Sequence, residues 1–228
     1  SNAATRPDSV YAGPLSSQDL RGELQALGCD VPRETLTALE TYAGLLAKWQ
    51  RAINLVAGNS LGDLWRRHFL DSAQLLPLLP PVSVHDGIIT DLGSGAGFPG
   101  LVLAILSGRP THLVESDQRK AAFLGEVARA TGVAGRVQIH IARIEALQPW
   151  PSGIVTARAL AALPELLEWA APFLAPGAIC LFPKGAKADE ELTAAERVWT
   201  MKTERRRSVT DPTGLILRLS NIERRGQT

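Results

Sequence analysis

Thr90-Asp91-Leu92-Gly93-Ser94-Gly95-Ala96-Gly97-Phe98-Pro99-Gly100 decides how this chain is read. It overlaps the end of Ile88 to Leu92, which reads as a buried strand, and leads into a helix from about Phe98 to Leu106. Placed there, glycines let the backbone turn sharply and bring its N–H groups close to a ligand. Packing alone also produces glycine-rich turns between strand and helix, so the acids nearby carry weight. Asp91 stands two positions before Gly93, at the mouth of the strand. Glu115 closes the next strand, about twenty residues beyond the glycines, where an acid can accept hydrogen bonds from ribose hydroxyls.

Outward from this turn, strands and helices alternate. Thr111 to Glu115, Val137 to Ile141, Ile154 to Ala157, Ala178 to Pro183 and Leu215 to Leu219 read as strands. Gln118 to Thr131, Leu163 to Leu174 (interrupted near Pro172) and Ala188 to Val198 read as helices. Such alternation implies an α/β, Rossmann-like domain: a mainly parallel sheet with helices on both faces. Ahead of it the spacing is helical. Leu36, Leu39, Tyr42, Leu46 and Trp49 share one face, and Leu61, Trp65, Phe69, Ala73 and Leu76 mark a second helix from roughly Leu61 to Leu79. The expected organisation is a lead-in over residues 1–18, an N-terminal helical subdomain over 19–82 and a ligand-binding domain over 83–228. Ser1-Asn2-Ala3 has the look of a tag-cleavage scar.

A chain of 228 residues can bury a substantial core. Its net charge of +1 gives no bulk argument for a polyanionic partner, so a nucleic-acid footprint has to come from local clusters. Cys180 sits in the apolar run Ala178 to Phe182, which favours a reduced core thiol over a disulfide with the distant Cys29. His68, His85, His112 and His140 lack metal-ligand spacing, so no metal is expected. No basic segment precedes an apolar one at the start, and no apolar run reaches membrane-spanning length. The expectation is a cytoplasmic monomer with no membrane partner.

Two ligands suit the glycine turn: a dinucleotide or S-adenosyl-L-methionine. Gly95 to Gly100 satisfies G-x-G-x-x-G, yet a pyrophosphate turn should open directly off the strand, at Gly93, and that frame puts Phe98 where the third glycine belongs. The D-x-G-x-G-x-G arrangement from Asp91 resembles motif I of class I methyltransferases, in which the loop carries the amino-acid part of S-adenosyl-L-methionine.

Further segments extend the likeness. Asn54-Leu55, Arg67-His68-Phe69-Leu70-Asp71-Ser72, the glycine turn through Gly100, Arg119-Lys120, Phe123-Leu124, Arg143-Ile144-Glu145, Arg158-Ala159 and Lys184-Gly185 follow one another across about residues 33–220. In order and spacing they resemble the ribosomal RNA small-subunit methyltransferase G family, also called glucose-inhibited division protein B. The resemblance implies methyl transfer from S-adenosyl-L-methionine to N7 of one guanine in 16S rRNA, near the decoding site, with the rRNA or the small ribosomal subunit as partner. It implies cofactor contacts from Asp91, Gly93, Gly95, Gly97, Phe98, Ile144, Glu145 and Arg158, with Glu115 where the family commonly has a ribose-binding aspartate. Asn54-Leu55-Val56 lacks the hydroxyl the family usually carries at its third position.

Guanine N7 is an unprotonated in-plane lone pair, so attack on a sulfonium methyl needs alignment and exclusion of water but no general base. The chain agrees by omission. Ala157-Arg158-Ala159-Leu160 stands where amine methyltransferases carry an Asn-Pro-Pro-Tyr-like segment, and no Pro-Cys nucleophile is present. Arg158 is the candidate at the boundary of cofactor and substrate; a helix-capping surface arginine is its bland alternative. His68 and Asp71 are three apart on one predicted helix and suit either a catalytic role or a network pinning the N-terminal helices. Arg66, Arg67, Arg119, Lys120 and Lys184 are candidate RNA-binding residues, and Arg205-Arg206-Arg207 and Arg224-Arg225 are basic clusters of the tail. Trp49, Trp65 and Trp169 fall on helical apolar rows and read as core. A methyltransferase for small molecules or proteins, a dinucleotide-dependent oxidoreductase and a non-catalytic module sharing the fold are the competing readings.

Overall fold

The computed structural model describes residues 14–82 and 87–226. The lead-in up to residue 13, with the expected scar, and His85 lie outside them. Helix α1 (Ser17–Ala26) opens on a reciprocal cap: Ser16 Oγ accepts from Asp19 N, and the Asp19 carboxylate accepts from Ser16 N. Ser17 and Gln18, expected in the lead-in, are therefore helical. Helix α2 (Arg33–Gln50) follows, with Leu36, Leu39, Tyr42 and Leu46 buried as their spacing predicts.

Seven strands form one sheet: β1 (Ile89–Leu92), β2 (Thr111–Val114), β3 (Val137–His140), β4 (Ser152–Thr156), β5 (Leu174–Lys184), β6 (Trp199–Arg207) and β7 (Leu215–Arg224). Their order is β3-β2-β1-β4-β5-β7-β6. The first five pair in parallel, while β7 runs antiparallel to β5, and β6 to β7. The chain leaves β1 toward β2 on one side and returns through β4 on the other, which opens a crevice at their carboxyl ends. The glycine turn and Arg158 both lie there.

Helices cover both faces. The α4 (Gly100–Ser107) and α5 (Gln118–Ala130) layer shares one apolar cluster with Leu20, Leu39, Tyr42 and Phe69 of the N-terminal helices. On the other face α6 (Leu163–Ala170) and α7 (Ala188–Glu196) pack Leu163, Leu167 and Leu192 against Val155 and Phe182. β1 is buried throughout because both its faces are covered, and its polar Thr90 and Asp91 are buried with hydrogen-bond partners.

Three expectations change. The single helix over Leu61 to Leu79 is a composite: a 3-10 turn (Gly58–Asp63), a π-helical turn (Trp65–Leu70), the short α3 (Asp71–Ala73) and a second 3-10 turn (Leu76–Leu78). Proline at 77 removes a ladder donor and prevents a regular ending. The helix expected over Leu163 to Leu174 stops at Ala170 and tightens into a 3-10 turn, Ala171–Phe173, around Pro172. Third, β6 was not expected, and Arg205-Arg206-Arg207 belong to it, not to a tail; β7 likewise extends to Arg224. As the sheet's last strand β6 keeps one edge and many side chains in water, so its apolar signal is weak.

One close contact ties α2 to the glycine turn. The wholly buried Tyr42 donates its hydroxyl proton to Ala96 O and stacks on Phe98 with ring centroids 5.3 Å apart. A Cβ on Gly97 would sit 2.2 Å from that hydroxyl and 2.9 Å from Leu101 Cβ, at a φ of +98°. Gly97→Ala should lower the unfolding free energy by about 2–4 kcal/mol in urea titrations. A loss below about 1 kcal/mol would mean that the turn yields to the methyl group.

Candidate active site

Two cavities meet at the carboxyl ends of the strands. The smaller, of 320 Å³, is lined by Gly93, Gly95, Glu115, Ile144, Glu145 and Trp169, with Lys120 and Arg143 at its border. The larger, of 700 Å³, is lined by Asp71, Arg158, Lys184, Glu191 and Ser208 among others. Leu160 lines both.

Backbone needs explain the first wall. Gly93 has φ +65°, and a Cβ there would lie 2.6 Å from Leu160 Cδ1, so only glycine brings the turn under the Leu160 side chain. Glu115 is nearly buried. Its Oε1 accepts from Gly95 N at 2.9 Å and its Oε2 from Asp117 N at 2.7 Å. Each carboxylate oxygen keeps a second lone pair for hydroxyls inside the cavity. Ile144 and Glu145 arrive on the short turn Ile144–Ala146 after β3. Trp169, expected in the core, also reaches this cavity while packing against the α6 side.

Asp91, Gly97 and Phe98 lie beneath the turn and not on the cavity wall. Asp91 is buried; Thr156 Oγ1 donates to its Oδ1 at 2.7 Å. A Cβ on Gly100 would come within 2.4 Å of Asp91 Cβ, so α4 starts directly against this carboxylate, where the helix N-terminus favours negative charge. Burial raises the Asp91 carboxyl to about 6, against hydrogen bonds from Thr156, Ser94 and the Gly100 backbone. Phe98, joined to Pro99 by a cis peptide bond, stacks between Tyr42 and His68.

Arg158 follows β4 and organises the other side. Its Nη1 donates to Asp71 Oδ2 at 3.1 Å and to Arg67 O at 3.2 Å, and its guanidinium lies 5.2 Å from the Phe98 ring centre. Nη2 donates to His68 Nδ1 at 2.9 Å. A guanidinium can only donate, which fixes the rest of the chain. His68 carries its proton on Nε2 and gives it to Ser60 Oγ at 2.7 Å, and Ser60 gives its own to Ala57 O at 2.6 Å. Burial, with Arg158 and Arg67 nearby, brings His68 down to about 4, so the ring is neutral at pH 7. Asp71 Oδ1 accepts from Thr210 Oγ1 at 2.6 Å and from Gln74 Nε2 at 3.3 Å. Gln74 Oε1 in turn accepts from Val209 N at 2.9 Å.

The five basic candidates do not form one patch. Arg66 pairs with Asp63 at 3.7 Å, Arg67 Nη1 donates to Asn59 O at 3.3 Å, and Arg119 Nη2 to Ala52 O at 2.9 Å. Only Lys120 borders the smaller cavity. Lys184 lines the larger one with its side chain 8% exposed, its ammonium held by Ala161 O at 2.7 Å and Glu191 at 2.9 Å. Ser60, Gln74, Thr156, Thr210, Leu160 and Glu191 were not picked out in the sequence. Nothing local marks them, because each matters only through a partner distant in the chain. His112 and His140 lie 2.8 Å apart on neighbouring strands, stacked with Trp150, a pairing their sequence spacing hides. Among the described residues no three His, Cys, Asp or Glu side chains form a metal-binding group. Cys29 and Cys180 are free thiols, the latter wholly buried.

The model of the family GidB, rRNA small subunit methyltransferase G, matches residues 35–214. A ribosomal RNA small subunit methyltransferase G of Rhodospirillum rubrum is 55% identical over 202 residues, covering 88% of this chain and 98% of the relative. That of Rhodospirillum centenum is 57% identical over 196 residues, covering 86% and 88%. Among solved structures, an O-methyltransferase from Bacillus cereus in complex with SAH superposes with a TM-score of 0.54 at 12% identity, over 89% of this chain and 97% of that one. The O-methyltransferase TomG from Streptomyces achromogenes, in complex with SAM, gives 0.54 at 16% identity, over 88% and 95%. At such identities the structures speak for the fold, which is that of class I methyltransferases. Most of the chain's length is matched by the family model and by relatives sharing over half its residues, and it belongs to the rRNA small subunit methyltransferase G family.

Proposed function

We propose that this protein transfers a methyl group from S-adenosyl-L-methionine to N7 of a guanine in 16S rRNA. Family membership carries the reading. The same reading has it act in the cytoplasm as a monomer, on the rRNA or the small ribosomal subunit. Among the described residues no helix is long and apolar enough to cross a membrane.

The smaller cavity suits the donor. Gly93 and Gly95 present backbone to it, the Glu115 carboxylate is positioned for ribose hydroxyls, and Ile144 gives an apolar surface for a base beside Glu145. Asp91, Gly97 and Phe98 shape the turn from below. When bound, S-adenosyl-L-methionine supplies a sulfonium methyl: the N7 lone pair forms the new N–C bond, the S–C pair returns to sulfur, and no proton moves. The chain's residues therefore need only to align and desolvate. Arg158, His68 and Asp71 fit that demand. Both ring nitrogens of His68 are committed, and Asp71 is bound by Arg158 and Thr210, so the cluster orients the Arg158 guanidinium at the edge of the larger cavity. Arg66, Arg67, Arg119 and Lys120 remain the candidates for RNA phosphates, while Lys184, turned inward to Ala161 and Glu191, acts on the fold itself.

Labelled-methyl transfer onto small subunits lacking the modification, followed by mapping, should place one methyl at a guanine N7; a label on protein or on no base would overturn the reading. Glu115→Ala should weaken S-adenosylhomocysteine binding tenfold or more in calorimetry, about 1.4 kcal/mol, and unchanged affinity would remove Glu115 from the site. His68 should contribute stability that is fully present above its ordinary pKa of 6.5 and is lost as pH falls toward 4. The stability difference between the native chain and His68→Gln should thus shrink by about 2 kcal/mol from pH 7 to pH 5. A constant difference would mean that the ring takes up its proton normally.

A further inference from the structure

The larger cavity has a wall on the donor side and a charged mouth on the other, and neither feature is used by the donor. Its 700 Å³ falls within the roughly 300–1,000 Å³ of sites that enclose small molecules. Leu160 is the shared wall, so a group entering here comes to rest against the place where Gly93 and Gly95 face the donor. The surrounding segment is held in place. Ala159 takes φ +51°, Lys184 donates to Ala161 O, and Glu191 Oε1 accepts from Leu163 N at 2.8 Å while pairing with Lys184. Such an arrangement keeps the wall in position with no guest inside.

The mouth carries charges of both signs left over after pairing: Glu190 and Asp211 on the wall are exposed carboxylates without an ion-pair partner among the described residues, and two cations stand beside them. Arg205 pairs with Asp189 at 3.2 Å, Arg218 with Glu204 at 3.0 Å, and Arg224 with Glu168. Lys187, on the cavity wall, and Arg207, at the end of β6, are exposed and without an ion-pair partner among the described residues. Strand register puts Lys184, Leu215 and Arg207 in one row across β5, β7 and β6. Partners across a ladder project to the same face, and Arg205, two residues earlier on β6, reaches Asp189 of α7, so Arg207 shares the α7 face. The neighbouring row of Pro183, Ile216 and Arg206 also adds to the cavity lining, but Ile216 packs with Leu75 and Leu103 on the other face. Arg206 stands in the row of Ile216 and leaves the sheet on the opposite face.

Resting on the function proposed above, we infer that the larger cavity receives the acceptor nucleotide of the RNA, its base against Leu160, with Lys187 and Arg207 holding phosphates of the strand that leads in. Base and donor then meet where Leu160 lines both cavities, which leaves N7 within reach of the methyl group, and the RNA backbone runs along the end of the edge strand.

Ala194 lies on α7 in the cavity wall, away from the donor cavity, and Ala194→Trp fills the space. The variant should bind S-adenosylhomocysteine within about twofold of the native affinity by calorimetry, yet methylate undermethylated small subunits at least fiftyfold more slowly. Normal methylation with the cavity filled overturns the assignment. The double variant Lys187→Ala, Arg207→Ala decides independently, including where the tryptophan disturbs folding. It should raise KM for the subunit about tenfold with kcat unchanged and lower the salt slope of binding by roughly one to two, while Arg206→Ala leaves both as they are. An equal effect of Arg206→Ala, or none from the double variant, refutes the pocket. Failure of the native chain to methylate the subunits would instead refute the function.

Discussion

The guanidinium of Arg158 is the constraint on which the rest of the site depends. It can only donate, and it meets the backbone of Arg67, the carboxylate of Asp71 and the ring of His68 while lying over Phe98. Three segments that enter the fold separately are thereby held at one point: the π-helical turn running into α3, the glycine turn and the loop after β4. From Asp71 the hydrogen bonds continue to Thr210 and Gln74, and so to the turn between β6 and β7. A partly buried cation of this kind is tolerable only when its donors are matched, and the matching partners all come from Arg67 to Asp71, about ninety positions earlier in the chain.

The two acids near the glycines divide the work by burial. Asp91 lies below the turn, against the first residue of α4, and supports its shape; its raised pKa expresses how little water reaches it. Glu115 lies beside the turn, holds the Gly95 amide, and still faces the cavity. One residue type in two environments thus gives a support and a binding group. Motif spacing makes both stand out, but only their surroundings separate the roles.

An N7 acceptor sets unusual terms for a catalytic cluster, since no proton has to be taken. His68, which in a sequence invites assignment as a base, is neutral, enclosed and bonded through both nitrogens. Its value lies in rigidity: it fixes where Arg158 can be, and Arg158 stands at the edge of the larger cavity.

The order of strands and helices, the glycine turn with its acids, and the buried face of α2 were readable from residues alone, because each rests on periodicity or on backbone geometry within a few positions. The family likeness was readable for the same reason, as short motifs in fixed order. The edge strand β6 was not, since a strand with one edge in water has little apolar contrast, and its arginines passed for a tail. Nor could the chain as a string tell that Lys184 is turned inward to Ala161 and Glu191, or that Thr210 supports Asp71 across 139 positions. Local spacing determined the turn that cradles a ligand. Packing of distant segments alone decided which charges are spent inside the molecule and which remain at the mouth of the cavity, because a side chain's pairing depends on what the fold brings beside it.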